Sequence, residues 1–289
     1  MAILFKNILV PVDFSDGSDI AFRKAIELSE PLNSVVCILY LFKPIIDFNK
    51  FSSTGYLIAP VTEILSKSEI QTKVKKYRET TAHIAPGIEI ETILSGLGSI
   101  QNKIEKAAYL FNPDLIIICK NDDKSYFPFF NKVFPDRIAR KTNSLVLTIK
   151  QGSASSGIKN IVLPVTWQVP FRKLEVAVSM AKKFNANIHL MTFPEYEPQR
   201  EDTVKVFIDA FYKIRQYSFI SIKYGSLKGK NIARTILNYS KSIHADIIMT
   251  NPQTESSLHT ITGKRHISDL LPRNSSIQVL DVEPYFHFK

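Results

Sequence analysis

Apolar positions in this chain fall into short runs with strand character, separated by stretches of helical period, and the whole succession occurs twice. "KNILVPVDF" (Lys6 to Phe14) returns as "KNIVLPVTW" (Lys159 to Trp167), each a β-rich run with a proline near its end. A helix is predicted after each: Ala21, Ala25 and Leu28 in the first copy correspond to Leu174, Val178 and Ala181 in the second, at i, i+4, i+7 spacing. A second strand follows, "VVCILYLF" in one copy and "ANIHLMTF" in the other. Charged helices come next, around Val61 to His83 and Asp202 to Arg215. "IEIETILSG" (Ile88 to Gly96) and "FISIKYG" (Phe219 to Gly225) alternate as half-buried strands do. "PDLIIIC" and "ADIIMTN" are continuously apolar, the mark of strands buried on both faces. "SLVLTIK" (Ser144 to Lys150) and "SIQVLDV" (Ser276 to Val282) close the two copies.

Strand and helix alternate throughout, which predicts an α/β fold with a mainly parallel, doubly wound sheet and right-handed crossovers in each copy. The Gly/Ser-rich stretch inside "KQGSASSGIK" separates them. The expected organisation is therefore a first domain over residues 1–150, a linker over 151–157 and a second domain over 158–289.

Composition changes this picture little. With 289 residues the chain is long enough for two ordinary cores, and 45% hydrophobic against 22% charged residues is typical of globular proteins. The apolar run "VVCILYLF" is too short to cross a bilayer and "MAILFKN" lacks the layout of a signal peptide, so no membrane partner and a cytoplasmic location are expected. The net charge of +10 would attract polyanions. Its lysines and arginines are scattered among acids with no basic tract, so a solvated surface is expected in place of a nucleic-acid site. The two cysteines, Cys37 and Cys119, lie in apolar strand-like runs and are expected to be reduced and buried.

The "ILVPVDFS" opening, the helix "GSDIAFRKAIELS", a glycine before the third helix, and "DLIII" followed by a loop, "DRIAR" and "SLVLTI" together resemble a universal stress protein domain. The resemblance is good in the first copy and rests mainly on strand order and spacing in the second. It implies two tandem Rossmann-like domains, each a five-stranded sheet of order 3-2-1-4-5 flanked by helices. That order would put Cys37 and Cys119 on strands either side of strand one, about 9–10 Å apart and beyond disulfide reach. The family also implies association through the final strands, so "SLVLTIK" and "SIQVLDV" are expected to pair within the chain and hide two sheet edges. A homo-oligomer is a further possibility.

Nucleotide-binding members of that family carry Gly-x-x-Gly after the fourth strand and, nine residues later, Gly followed by Ser or Thr at the start of the last helix. Glycines let amides approach phosphate, and the helix N-terminus adds its dipole. Here the four positions fall on Cys119, Asp122, Lys132 and Val133 in the first copy, and on Asn251, Thr254, Lys264 and Arg265 in the second, with Gly263 one residue away. None fits the motif. Asp122 and Asp123 would oppose phosphate, and Pro135 removes a helix-terminal amide. Asp13 is retained where relatives contact the nucleoside, whereas the second copy has Thr166. Asp13 either serves such a ligand or bonds the turn amides near Ser15 and Asp16. Lys132, Lys264 and Arg265 either replace amide contacts with point charges or are solvated. The aromatic "SYFPFF" (Ser125 to Phe130) either fills the nucleoside cleft or forms a contact surface, and the polar "TESSLHTITG" leaves the second cleft open to a small ligand.

Motifs for chemistry are lacking. The six histidines are isolated, His189 reads as a satisfied half-buried side chain, and no metal-binding or Gly-x-Ser-x-Gly pattern occurs. The expectation is a non-enzymatic, stress-response or signalling tandem with weak or absent ATP binding and no required cofactor, acting through an unidentified protein or small ligand. The alternative is an ATP- or AMP-binding protein, with slow hydrolysis, that uses Asp13 or a rearranged loop.

Overall fold

The computed structural model describes residues 5–30, 33–41, 67–95, 99–120, 133–153, 157–166, 168–193, 200–217, 220–229, 231–260 and 263–284. The first half runs β1 (Asn7–Val12), α1 (Asp16–Leu28), β2 (Ser34–Leu41), α2 (Lys67–Ile84), β3 (Ile88–Ser95), α3 (Ile100–Phe111), β4 (Leu115–Cys119), α4 (Pro135–Thr142) and β5 (Leu145–Ile149). The second continues with β6 (Asn160–Val165), α5 (Phe171–Phe184), β7 (Asn187–Thr192), α6 (Arg200–Tyr217), β8 (Ile222–Ser226), α7 (Ile232–Ser242), β9 (Ile247–Thr250), β10 (Ser257–Thr260), β11 (Gly263–His266) and β12 (Gln278–Asp281).

The order 3-2-1-4-5 is present in each half, and the halves are joined into a single ten-stranded sheet, β3-β2-β1-β4-β5-β12-β9-β6-β7-β8. All its pairings are parallel except the central one, where β5 meets β12 antiparallel with Leu147 opposite Leu280. The final strands therefore pair within the chain. A local device recurs in both halves: Asp114 accepts hydrogen bonds from the amides of Lys6 and Asn7, both at 3.0 Å, and Asp246 accepts from Lys159 and Asn160 at 2.7 and 2.9 Å. Each aspartate thereby sets the start of strand one against the start of strand four.

The residues placed on the apolar helix rows pack as their spacing predicts. Ala21, Ala25, Leu28, Leu174, Val178 and Ala181 are all buried. The face carrying α1, α2, α5 and α6 has one core that runs through the seam, including Leu145, Leu147, Leu280 and Val282. The opposite face has separate cores under α3 and α4 and under α7. Cys37 and Cys119 are buried thiols outside any disulfide, and desolvation pushes each thiol pKa up to about 12. Among the described residues, no helix is long and apolar enough to cross a membrane.

Polar contacts also cross the seam. Arg172 donates to Asn143 Oδ1 at 2.7 Å, to Asn143 O at 2.6 Å and to Glu283 O at 3.0 Å. Lys183 donates to the carbonyls of Glu27 and Ser29 at the C-terminal end of α1, where a cation also offsets the helix dipole. Buried Lys120 bonds Asp269 at 2.6 Å. The start of the Gly/Ser stretch is itself ordered: Gln151–Ser153 forms a 3-10 turn, and Ser153 Oγ reaches Ser275 O at 3.4 Å. Gly152 lies so close to this chain segment that a Cβ there would sit 2.0 Å from Asn274 O, which explains glycine at that position.

Candidate functional site

In an open α/β sheet, ligands bind outside the carboxyl ends of the strands where the strand order reverses. That point lies between β1 and β4 in the first half and between β6 and β9 in the second.

At the first crevice Asp13 follows β1 and is turned back toward α1. Its Oδ1 accepts from Ser15 N at 3.0 Å, Ser15 Oγ at 2.6 Å and Ser18 Oγ at 2.6 Å, while its own amide donates to Ser18 Oγ at 3.0 Å. Ser15 caps α1 by accepting from Ser18 N at 3.4 Å. The carboxylate thus organises the helix start through one oxygen. Among the described residues, Oδ2 makes no hydrogen bond. Next to it Phe14 adopts a left-handed φ of 59°, unusual for a bulky residue. Packing holds it there: its ring stacks on Tyr40 at 5.0 Å and lies 5.9 Å from Tyr77, with Lys73 Nζ 5.3 Å from its centroid.

Of the remaining first-half motif positions, the two that are described are both buried. Cys119 ends β4 inside the core and Val133 is buried among Ile104, Ile138 and Ala139. Asp122, Lys132 and the "SYFPFF" segment lie outside the described residues. Pro135 is at the first turn of α4, whose preceding Phe134 donates its amide to Gln101 Oε1 at 3.0 Å.

At the second crevice a carboxylate of the chain itself stands at the switch point. Glu255 Oε2 accepts from Lys173 Nζ at 2.6 Å and from Asn251 N at 2.9 Å, and Glu255 Oε1 accepts from Thr166 Oγ1 at 3.3 Å. Thr166 follows β6, Asn251 follows β9 and Lys173 projects from the first turn of α5, so all three donors border the switch point. Glu255 is 1% exposed and Lys173 2%. Burial drives the Lys173 ammonium pKa down, and the carboxylate opposes that shift. The turn after β9 also consumes its own amides: Thr254, Glu255 and Ser256 all donate to Asn251 O, and Gln253 donates to Asn251 Oδ1. Amides that would receive a phosphate are thereby satisfied inside the turn.

Two expectations for this region are corrected. In "TESSLHTITG", Glu255 turns inward to the switch point and Ser257–Thr260 pairs with Gly263–His266 as the β10–β11 hairpin, so the described part of the segment does not leave that point free for a ligand. Gly263, Lys264 and Arg265 do not start a helix. They belong to β11, opposite Thr260, His259 and Leu258. The alternating "SLHT" and the glycine suit a hairpin, and only a 3-10 turn, Ile267–Leu270, precedes Pro272. His266 secures that turn, with Nδ1 accepting from Ser268 N at 3.2 Å and Nε2 lying 3.2 Å from Asp281 Oδ1. Ser268, His266 and Asp281 share the composition of a nucleophilic triad, yet all are buried, and the network holds the turn against β12.

His189 is satisfied as its sequence context suggests. Nδ1 lies 2.8 Å from Tyr239 Oη and Nε2 3.3 Å from Asn160 Oδ1, and burial lowers its pKa to about 4. Glu255 and Lys173 were not distinguished by sequence patterning. The available signal was a lysine on the apolar row of α5, four residues before buried Ala177. Among the described residues, no cluster of His, Cys, Asp and Glu is arranged to hold a metal ion.

Comparison with known proteins agrees with the fold. Residues 4–125 match the model of the universal stress protein family. No curated protein matches the chain. A universal stress protein from Archaeoglobus fulgidus DSM 4304 is similar in structure over 97% of each chain, with 15% identity and a TM-score of 0.57. The cytoplasmic domain of a prokaryotic cation chloride cotransporter covers 96% of this chain and 95% of its own, with 12% identity and a TM-score of 0.51. At such identities the likeness concerns the fold.

Proposed function

With residues 4–125 matching the model of the universal stress protein family, we propose that the chain is a non-enzymatic stress-response tandem of the cytoplasm whose second cleft does not take nucleotide. The observation that carries this reading is the Glu255 carboxylate held by Lys173, Asn251 and Thr166 at the second switch point. A triphosphate there would meet a buried carboxylate and a turn whose amides are already engaged. The protein would then act through its surface or through a ligand of another kind.

A second reading is kept by Asp13 Oδ2, which has no hydrogen-bond partner among the described residues. It makes the first half an ATP- or AMP-binding domain. Thermal unfolding with and without ATP, ADP and AMP, each with and without magnesium, separates the two. A nucleotide at about 100 times its dissociation constant adds roughly 2.7 kcal/mol to stability. We expect no shift. A shift abolished by Asp13→Asn would replace the first reading with the second, and a shift unaffected by that substitution but abolished by Lys173→Met would place nucleotide in the second cleft.

A further inference from the structure

The helices α2 and α6 occupy corresponding places in the two halves but differ on their outer faces. In α2, Ile70, Val74 and Tyr77 turn inward and the outer positions Glu69, Lys73, Lys76 and Glu79 are polar. In α6, Ala210 and Ile214 turn inward, yet the outer face also carries Val204, Ile208 and Tyr212, which are 49%, 45% and 62% exposed. These three lie at i, i+4 and i+8, in one row along the helix. Tyr224 on the edge strand β8 extends the patch, its ring 5.4 Å from Phe211 of α6. Since the matching helix of the same chain is solvated, the fold does not require this row. A helix apolar on both faces is normally covered on both.

Charge indicates what covers it. Lys205 and Asp209 flank the row on one side, four residues apart, and neither has a hydrogen-bond or ion-pair partner among the described residues. In an antiparallel pair of identical helices centred on Ile208, equivalent flanks face each other. At a rise of about 1.5 Å per residue, Lys205 of one copy then falls within about 3 Å, along the axis, of Asp209 of the other. The two-fold operation makes that contact twice, and it sets Val204 against Tyr212 and Ile208 against its own copy. We propose that the outer face of α6, with Tyr224 beside it, is an isologous interface through which two copies of this chain associate.

The test is sedimentation velocity of the full chain over a wide range of concentration. Association is expected in the wild type, weakened at least about tenfold by Ile208→Glu. Lys205→Glu and Asp209→Lys should each weaken it, and the Lys205→Glu/Asp209→Lys pair should recover it, because the contact is then remade with signs exchanged. All these positions are exposed, and an unchanged far-ultraviolet circular dichroism spectrum would show that the variants fold. A monomer at every concentration overturns the proposal, as does association indifferent to Ile208→Glu or not recovered by the charge exchange. A monomer that binds phosphatidylserine vesicles through the same face overturns it too, in favour of a membrane surface.

Discussion

Removing the Glu255 carboxylate tests whether it is an integral part of the second half or an incidental neighbour. In Glu255→Ala the Lys173 ammonium stays buried, 2% exposed, and loses its acceptor at 2.6 Å. Asn251 N and Thr166 Oγ1 lose theirs at the same time. Breaking a buried ion pair by deleting one partner costs about 3–5 kcal/mol, because the survivor is left charged in a poor dielectric. In a protein of this size that lowers the unfolding temperature by on the order of 10 °C. The cavity left behind has the shape of a small carboxylate with three donors aimed at it. Formate or acetate should therefore raise the melting temperature of Glu255→Ala and leave the wild type unmoved. A double-mutant cycle completes the assay: Lys173→Met/Glu255→Leu should cost less than the sum of Lys173→Met and Glu255→Leu, since no uncompensated charge remains. A cost for Glu255→Ala below about 1 kcal/mol, or an additive cycle, would refute the reasoning.

Three further outcomes are expected. The unfolded chain takes up a proton on His189 near pH 6.5 whereas the folded protein resists until about pH 4, so stability should fall by a few kcal/mol as pH drops through that window; in urea titrations His189→Asn should show a shallower decline, and an unchanged slope would contradict the assignment. Cys37 and Cys119, with pKa values near 12, should react with a thiol reagent at pH 8 only as fast as the protein unfolds, and immediate labelling would contradict their burial. Gly152→Ala forces a Cβ to 2.0 Å from Asn274 O and should cost about 1–3 kcal/mol by urea denaturation, whereas Gly157→Ala, which meets nothing within 4 Å, should be near neutral.

Much of the fold was legible because each strand carries its own periodicity. The repeated "KNILVPV" and "KNIVLPV" mark the two first strands, and the continuous "LIII" and "DIIM" mark strands with a neighbour on either side. The seam was legible only through family resemblance, since nothing local in "SLVLTIK" states that its partner is antiparallel. The β10–β11 hairpin was missed because the register was carried over from the first half, where Pro135 starts a helix, into a segment whose alternation favours strands. For the site, the sequence shows which glycines are absent but not what stands in their place. Glu255 is one acid in a polar turn, and its role depends on Lys173, 82 residues earlier, being carried to it by β6 and α5. Asp13 presented the reverse case: both roles considered for it use the same residue at the same strand end, and its three serine contacts engage one carboxylate oxygen and leave the other to the second role.

The antiparallel β5–β12 junction lets one chain specify separately the two sides of what would otherwise be a two-fold axis. In a dimer of identical chains every substitution appears twice, so a cation placed on one side of the axis appears on the other as well. Here Arg172 and Lys183, which grip the first half through Asn143, Glu27 and Ser29, stand at the positions that Asp19 and Glu30 hold in the first copy. Lys120, which reaches Asp269, has Pro252 at the matching distance beyond its own strand-start aspartate. Because the two sides are encoded separately, each half carries a charge that the other lacks at the matching position, and a substitution in one cleft leaves its twin unaltered.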